Sequence, residues 1–186
     1  MDLLVNSMPA LHDLCVGELA RNIRLPGLLE RAHWPSLERF TMGFHFTDEG
    51  ASEADAAVIL ADFLKKHPTI KYFYALVPLP PGSIPPTAVF TSLAFRPGYS
   101  NGTPIPVVYI IPHQTLRHIH SLQIVDELLD SESISMLRHM PCLRYLTMIN
   151  KQDLPRIVQL APKLERLRVY FGDGEVNSMF PYPCEV

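Results

Sequence analysis

Five prolines in this sequence open the same phrase, x-Pro-x-Φ-x-x-Φ-x-Φ, where Φ is apolar. The copies are MPALHDLCV at 8–16, WPSLERFTM at 34–42, HPTIKYFYA at 67–75, MPCLRYLTM at 140–148 and APKLERLRV at 161–169. LRHIHSLQI at 116–124 keeps the apolar pattern without the proline, and FTSLAF at 90–95 keeps its second half. The positions equivalent to the proline, 9, 35, 68, 88, 117, 141 and 162, are spaced by 26, 33, 20, 29, 24 and 21 residues. A unit of this size cannot bury its apolar face alone, so recurrence at such a period predicts a stacked array of like units.

The phrase has a physical reading. Its terminal Φ-x-Φ alternates with period two, which predicts a short strand buried on one face. A helix is expected upstream of several strands. Ser52 is the expected N-cap of a helix over 53–66, with acidic residues in its first turn and Lys65 and Lys66 in its last, the order that a helix dipole favours. Its apolar face is expected to include Val58, Ile59 and Phe63. Shorter helices are expected over 131–139 and 153–160, with Pro155 early in the second, where its missing N–H is harmless. Each proline excludes the residue before it from the α region, so Pro68, Pro141 and Pro162 turn the chain from helix to strand. The expectation is an α/β solenoid with short parallel strands and irregular helices: one repeat domain over 1–175, about seven degenerate units, and a tail over 176–186.

Proline is also in excess overall, 18 of 186 residues against an average of about 5%, whereas glycine stands at only 9. Collagen-like and Gly/Ser-linker readings therefore fail, and long unbroken helices are excluded. Half of the prolines crowd an irregular insertion over 76–115. Within it, the run from Pro106 to Pro112 reads as an extra strand or a packed loop, and 96–102 reads as a turn. A long connection of this kind is either a binding loop or an irregular repeat.

Apolar residues make up 47% of the chain, enough for a sizeable core. The formal charge is −3, with 16 Lys and Arg against 19 Asp and Glu, so no electrostatic case exists for nucleic acid or an anionic membrane as partner. Cys15, Cys142 and Cys184 share no C-x-x-C spacing, which predicts neither a disulfide framework nor a zinc knuckle. No signal-peptide pattern and no spanning run are present, so an intracellular location, cytoplasmic or nuclear, is expected.

With WPSLERFTM, MPCLRYLTM and APKLERLRV on view, the chain resembles the degenerate leucine-rich-repeat region of fungal F-box proteins over roughly residues 1–170. The resemblance implies a substrate-recruiting repeat array of a ubiquitin ligase receptor. In that family an F-box of roughly 45 residues, the scale of a small helical module, precedes the repeats and docks the ligase adaptor. Only eight residues stand ahead of Pro9, so an adaptor is an expected partner only with an upstream F-box. Where such repeats place an asparagine ladder, this chain has His45, Lys151 and Gly172, which predicts an irregular, weakly curved array.

Catalysis has no sequence support: no nucleophile elbow, phosphate loop, dinucleotide fingerprint or His-Glu-x-x-His occurs. His118 and His120 flank Ile119 and could share a metal, but no third ligand at a suitable spacing is recognisable. The acids Asp126, Glu127, Asp130 and Glu132 read as a solvated loop rather than a calcium loop. No cofactor is expected. Binding is better founded, because the x positions flanking the inward Φ residues form two columns on the open side of the sheet. One column is Asp13, Arg39, Tyr72, Ser92, Ser121, Tyr145 and Arg166; the other is Cys15, Thr41, Tyr74, Ala94, Gln123, Thr147 and Arg168. Tyr and Arg anchor interfaces more often than most residues, so Arg39, Tyr72, Tyr74, Gln123, Tyr145, Arg166 and Arg168 are the candidate protein-binding residues. The function expected is a non-enzymatic protein-interaction domain. The alternatives are a truncated repeat remnant with a structural role only and, further off, a hydrolase or metal enzyme.

Overall fold

The turn that each proline makes explains the chain path. In all five proline phrases the residue before proline accepts a hydrogen bond from the Φ residue three positions on: Leu11 N to Met8 O at 3.1 Å, Leu37 N to Trp34 O at 3.0 Å, Ile70 N to His67 O at 3.2 Å, Leu143 N to Met140 O at 3.1 Å and Leu164 N to Ala161 O at 3.1 Å. Proline thus occupies the second position of a β-turn, where its fixed φ is already correct. Met140, with φ −112° and ψ 70°, shows the predicted displacement of a pre-proline residue from the α region. The proline-free phrase makes the same turn, Ile119 N to Leu116 O at 3.3 Å, with Arg117 at φ −64° in the place of proline.

These turns feed an α/β fold, seen in a computed structural model that describes residues 8–16, 25–42, 53–97, 99–100, 103–128, 131–149 and 154–170. The elements are β1 (Asp13–Val16), α1 (Leu25–Arg31), β2 (Arg39–Met42), α2 (Glu53–Lys66), β3 (Tyr72–Leu79), β4 (Ser92–Pro97), β5 (Tyr99–Ser100), β6 (Thr103–Pro104), α3 (His113–Leu116), β7 (Ser121–Leu128), α4 (Ser131–Met136), β8 (Tyr145–Ile149), α5 (Leu154–Leu160) and β9 (Arg166–Tyr170). Seven strands form one sheet in the order β1-β2-β3-β4-β7-β8-β9, every neighbouring pair parallel. Strand order therefore follows chain order, interrupted only by the small antiparallel hairpin β5–β6.

The seven apolar phrases lie in one register. Leu14, Phe40, Phe73, Leu93, Leu122, Leu146 and Leu167 are successive cross-strand partners. They point with the helices into one continuous core, where Phe73 stacks between Phe40 at 6.0 Å and Phe90 at 5.4 Å. Just before the strands, a further row is tied by backbone bonds: Glu38 N and Arg39 N both donate to His12 O, and Lys71, Thr91, His120, Arg144 and Glu165 continue the series.

Several expectations change. In α2 the buried residues are Ala57, Leu60, Ala61, Phe63 and Leu64, while Val58 is 61% exposed. At 100° per residue Val58 falls on the outer face with Asp62 and Lys65. The run from Pro106 to Pro112 is a packed loop, with a 3-10 turn at Val107–Tyr109 pinned by the bond from Val107 N to Ser133 Oγ at 3.0 Å. The stretch over 76–115 is not all insertion, since β3 reaches Leu79 and β4 lies within it. Asp126 and Glu127 belong to β7 rather than to a loop, because that strand runs on to Leu128. His118 and His120 precede β7 and occupy the turn that leads into it. Ser52, His45, Lys151, Gly172 and the tail over 176–186 lie outside the described residues.

Candidate interaction face

An all-parallel sheet ordinarily has both faces covered. Here the Φ side carries the core, and the other side remains accessible along much of its length. The strand registers bring together the two columns predicted above. Asp13 pairs with Arg39, Arg39 with Tyr72, Tyr72 with Ser92, Ser92 with Ser121, Ser121 with Tyr145 and Tyr145 with Arg166. Cys15, Thr41, Tyr74, Ala94, Gln123, Thr147 and Arg168 are partners in the same order. Side chains directly opposite in a parallel ladder sit about one strand spacing apart, so each column is a continuous strip of contacting groups.

The strip is not uniform. At the β1–β4 end its groups are already engaged with one another. Arg39 Nη1 lies 3.2 Å from Asp13 Oδ2, and the Arg39 guanidinium sits 5.1 Å from the Tyr72 ring centroid. Tyr74 Oη and Ser92 Oγ share a hydrogen bond at 3.3 Å. Thr41, Ser92 and Ala94 are buried, so at this end the accessible surface consists of the exposed Asp13 and Cys15 and the half-buried Arg39, Tyr72 and Tyr74. Both members of the Asp13–Arg39 pair are largely in solvent, so it contributes less than about 1 kcal/mol to stability.

At the β8–β9 end the groups are presented outward. Tyr145 is 41% exposed, the Arg166 guanidinium lies 5.8 Å from its ring centroid, and its hydroxyl donates to Glu165 Oε2 at 3.3 Å. Glu165 is also bound by Arg144 at 2.9 Å, which leaves the charges of Arg166 and Arg168 uncompensated by any ion pair among the described residues. Gln123 stands half-buried between the two ends. No family model matches this chain, and neither the curated proteins nor the solved structures hold a match to it.

The margins of this face carry chemistry that the local sequence does not signal. The row just before the strands carries alternating charge: Glu38 with Lys71 at 3.0 Å and Arg144 with Glu165 at 2.9 Å. The Lys71 ammonium, by hydrogen bond and by charge, holds the Glu38 carboxyl below its ordinary range. On the helix side His67 is fully buried; its Nε2 accepts the backbone N–H of Trp34 at 2.9 Å and its Nδ1 donates to Phe63 O at 2.8 Å. Trp34 itself is buried at the helix-to-strand corner. The residue before proline in one phrase thereby holds the residue before proline in the preceding one. Alignment of the phrases puts Trp34 and His67 in equivalent positions, but only the fold turns the imidazole toward the earlier turn.

Among the described residues no three of His, Cys, Asp and Glu are grouped to hold a metal ion, and no helix is long and apolar enough to cross a membrane. No disulfide joins Cys15 or Cys142. What the face can do chemically is bind. It offers aromatic surface, planar guanidinium groups and hydroxyls on a backbone that is held rigidly by the sheet.

Proposed function

We propose that the chain is a non-enzymatic protein-interaction domain, a leucine-rich-repeat-like solenoid that receives its partner on the open face of the sheet. The observation that carries this reading is the alignment of seven phrases in one register, with Tyr and Arg gathered on the uncovered side of a parallel sheet. An array of this kind presents an extended surface and needs no catalytic pocket. Tyr72, Tyr74 and Arg39 form one anchor; Tyr145, Arg166 and Arg168 form the other, with Gln123 between them. The partner is a protein whose own polar and acidic groups meet the second anchor.

The resemblance to F-box repeat regions extends this to substrate recruitment, with a ligase adaptor engaged only if an F-box accompanies the repeats. An intracellular setting, cytoplasmic or nuclear, goes with that role. The test is quantitative affinity capture with wild-type protein and the Tyr72→Ala/Arg166→Ala double variant, both checked for native circular dichroism. Specific partners lost by the variant at least tenfold support the reading, whereas an unchanged set overturns the assigned face. Non-cooperative unfolding with self-association of the wild type would instead favour a repeat remnant.

A further inference from the structure

The proline-crowded stretch leaves a feature that the open face does not use. On the helix side, the turns over 80–88 and 106–112 close against α2 around an open pocket of about 300 Å³. Its deepest groups are Ala61, Ile84 and Ile110, all buried, and its rim carries Pro86, Tyr109 and Lys65. A volume near 300 Å³ is at the small end of natural ligand sites, and a predominantly apolar lining with a few polar groups is their usual composition.

Two properties separate this pocket from a chance crevice. Its walls are fixed by short-range bonds: Ser83 Oγ to Pro80 O at 2.7 Å, Ala88 N to Pro85 O at 3.0 Å, Tyr109 N to Pro106 O at 3.0 Å and Ile110 N to Val107 O at 3.0 Å. Prolines among these turns further restrict the backbone, so the cavity exists before any ligand arrives and little ordering cost accompanies binding. Its rim also exposes a large aromatic side chain: Tyr109 is 60% accessible, although its neighbours Val107 and Ile110 are buried.

The single charged group lining the pocket is the Lys65 ammonium. Its partner Asp62, at 3.0 Å one turn back on α2, makes an i,i+3 pair with both side chains more than half exposed. Such pairs are worth little and exchange readily. An anion entering the apolar pocket can therefore take up the ammonium without breaking a buried contact. We propose that this pocket binds a small apolar monocarboxylate, its aromatic or branched body against Pro86, Val108 and the Tyr109 ring and its carboxylate on Lys65. The inference stands apart from the open sheet face, on the opposite side of the sheet.

The experiment is an amide-resolved NMR titration of the full chain with 3-phenylpropanoate, in parallel with its uncharged amide and with a proline-rich peptide. Saturable shifts centred on residues 61–65, 82–86 and 108–112 with the acid are expected. Roughly fivefold weaker binding by Lys65→Gln is expected, the size of an exposed ion pair. Tyr109→Ala should weaken acid and amide alike. Both substitutions are at exposed side chains, and an unchanged spectrum away from the pocket confirms that each variant folds. Equal affinity for acid and amide, shifts confined to the sheet face, no saturable shift at all, or a peptide that saturates these amides while the acid does not would each overturn the proposal.

Discussion

Protonating His67 should loosen the contact between two successive units, and the structure sets the sign and scale. The imidazole is 1% exposed, and both of its nitrogens are in use. Because Nε2 accepts the Trp34 N–H, the proton of the neutral ring must sit on Nδ1, facing Phe63 O. A second proton on Nε2 would confront the Trp34 N–H donor, and a charged ring would lose its hydration. Burial is the largest cause holding the His67 pKa below its usual value, with the charges of His33 and Lys66 acting in the same direction and the Phe63 carbonyl opposing them. A depressed folded pKa means that the unfolded chain takes up the proton first as pH falls. The stabilisation from His67 is therefore complete above about pH 6.5, the unfolded value, and is lost on acidification towards the folded value. In that window the loss is at most about 1.4 kcal/mol per pH unit. Substituting His67→Phe keeps the ring but leaves a buried Trp34 N–H without an acceptor, a cost of about 1–3 kcal/mol near neutrality. For a chain of this size that corresponds to a fall in Tm of about 2–10 °C. The assay is urea unfolding of wild type and His67→Phe at pH 7.5, 6.5, 5.5 and 5.0. The gap between the two should narrow as pH falls, since only the wild type carries the His67 proton uptake. A gap that stays constant or widens on acidification would refute the reasoning.

Three further substitutions probe the packing and the turns. Phe73→Ala removes a fully buried ring from the stack between Phe40 and Phe90 and should cost about 3–5 kcal/mol, read as a lower urea midpoint at unchanged m. Replacing Pro162 by Ala should cost about 0.4–1 kcal/mol by freeing the unfolded chain, whereas Arg117→Pro should destabilise even though Arg117 already has φ −64°. The difference lies in the preceding residue: Ala161 is outside its helix, but Leu116 is the last residue of α3, and proline excludes that conformation from its predecessor. Thermal unfolding of the two variants beside wild type checks both signs.

That contrast also shows why some of this structure can be read in the sequence and some cannot. The strand rows are legible because each phrase encodes its own turn and its own alternation, and parallel pairing of like phrases then leaves one register that buries every Φ residue. So Asp13, Arg39 and Tyr72 fall in line across three strands, as do Tyr145 and Arg166, although long stretches of sequence separate them. The interior of each face is less legible. Nothing local says that Tyr74 will share a hydrogen bond with Ser92 across the strands or that Ala94 will be 2% exposed; that depends on which residues stand at the same height on neighbouring strands. Val58 shows the same limit on a helix, where an apolar residue can stand on the outer face among charged ones and end in solvent. The His67 bridge is invisible for another reason: a lone histidine before a proline carries no signal of what lies opposite.

The irregular stretch raises the question of how a register survives two units that do not match the rest. The answer lies in the row before the strands. Thr91 N donates to Lys71 O at 2.8 Å and His120 N to Thr91 O at 2.8 Å, so each of these strands is locked to its predecessor at the residue just before it begins, whatever path the chain has taken to reach it. The path itself is thermodynamically cheap to vary, since each doubling of a flexible connection costs only about 0.6 kcal/mol of closure entropy. Connections vary where they touch neither row, and on the helix side it is there that the 3-10 turn and the pocket beside Lys65 are found. The strands are held to one pattern by pairing with two neighbours at once, while a connection answers only to the core beneath it. A fold of this kind therefore divides its sequence constraints by face: the repeated residues line one continuous surface, and the departures from the repeat surround the pocket beside Lys65.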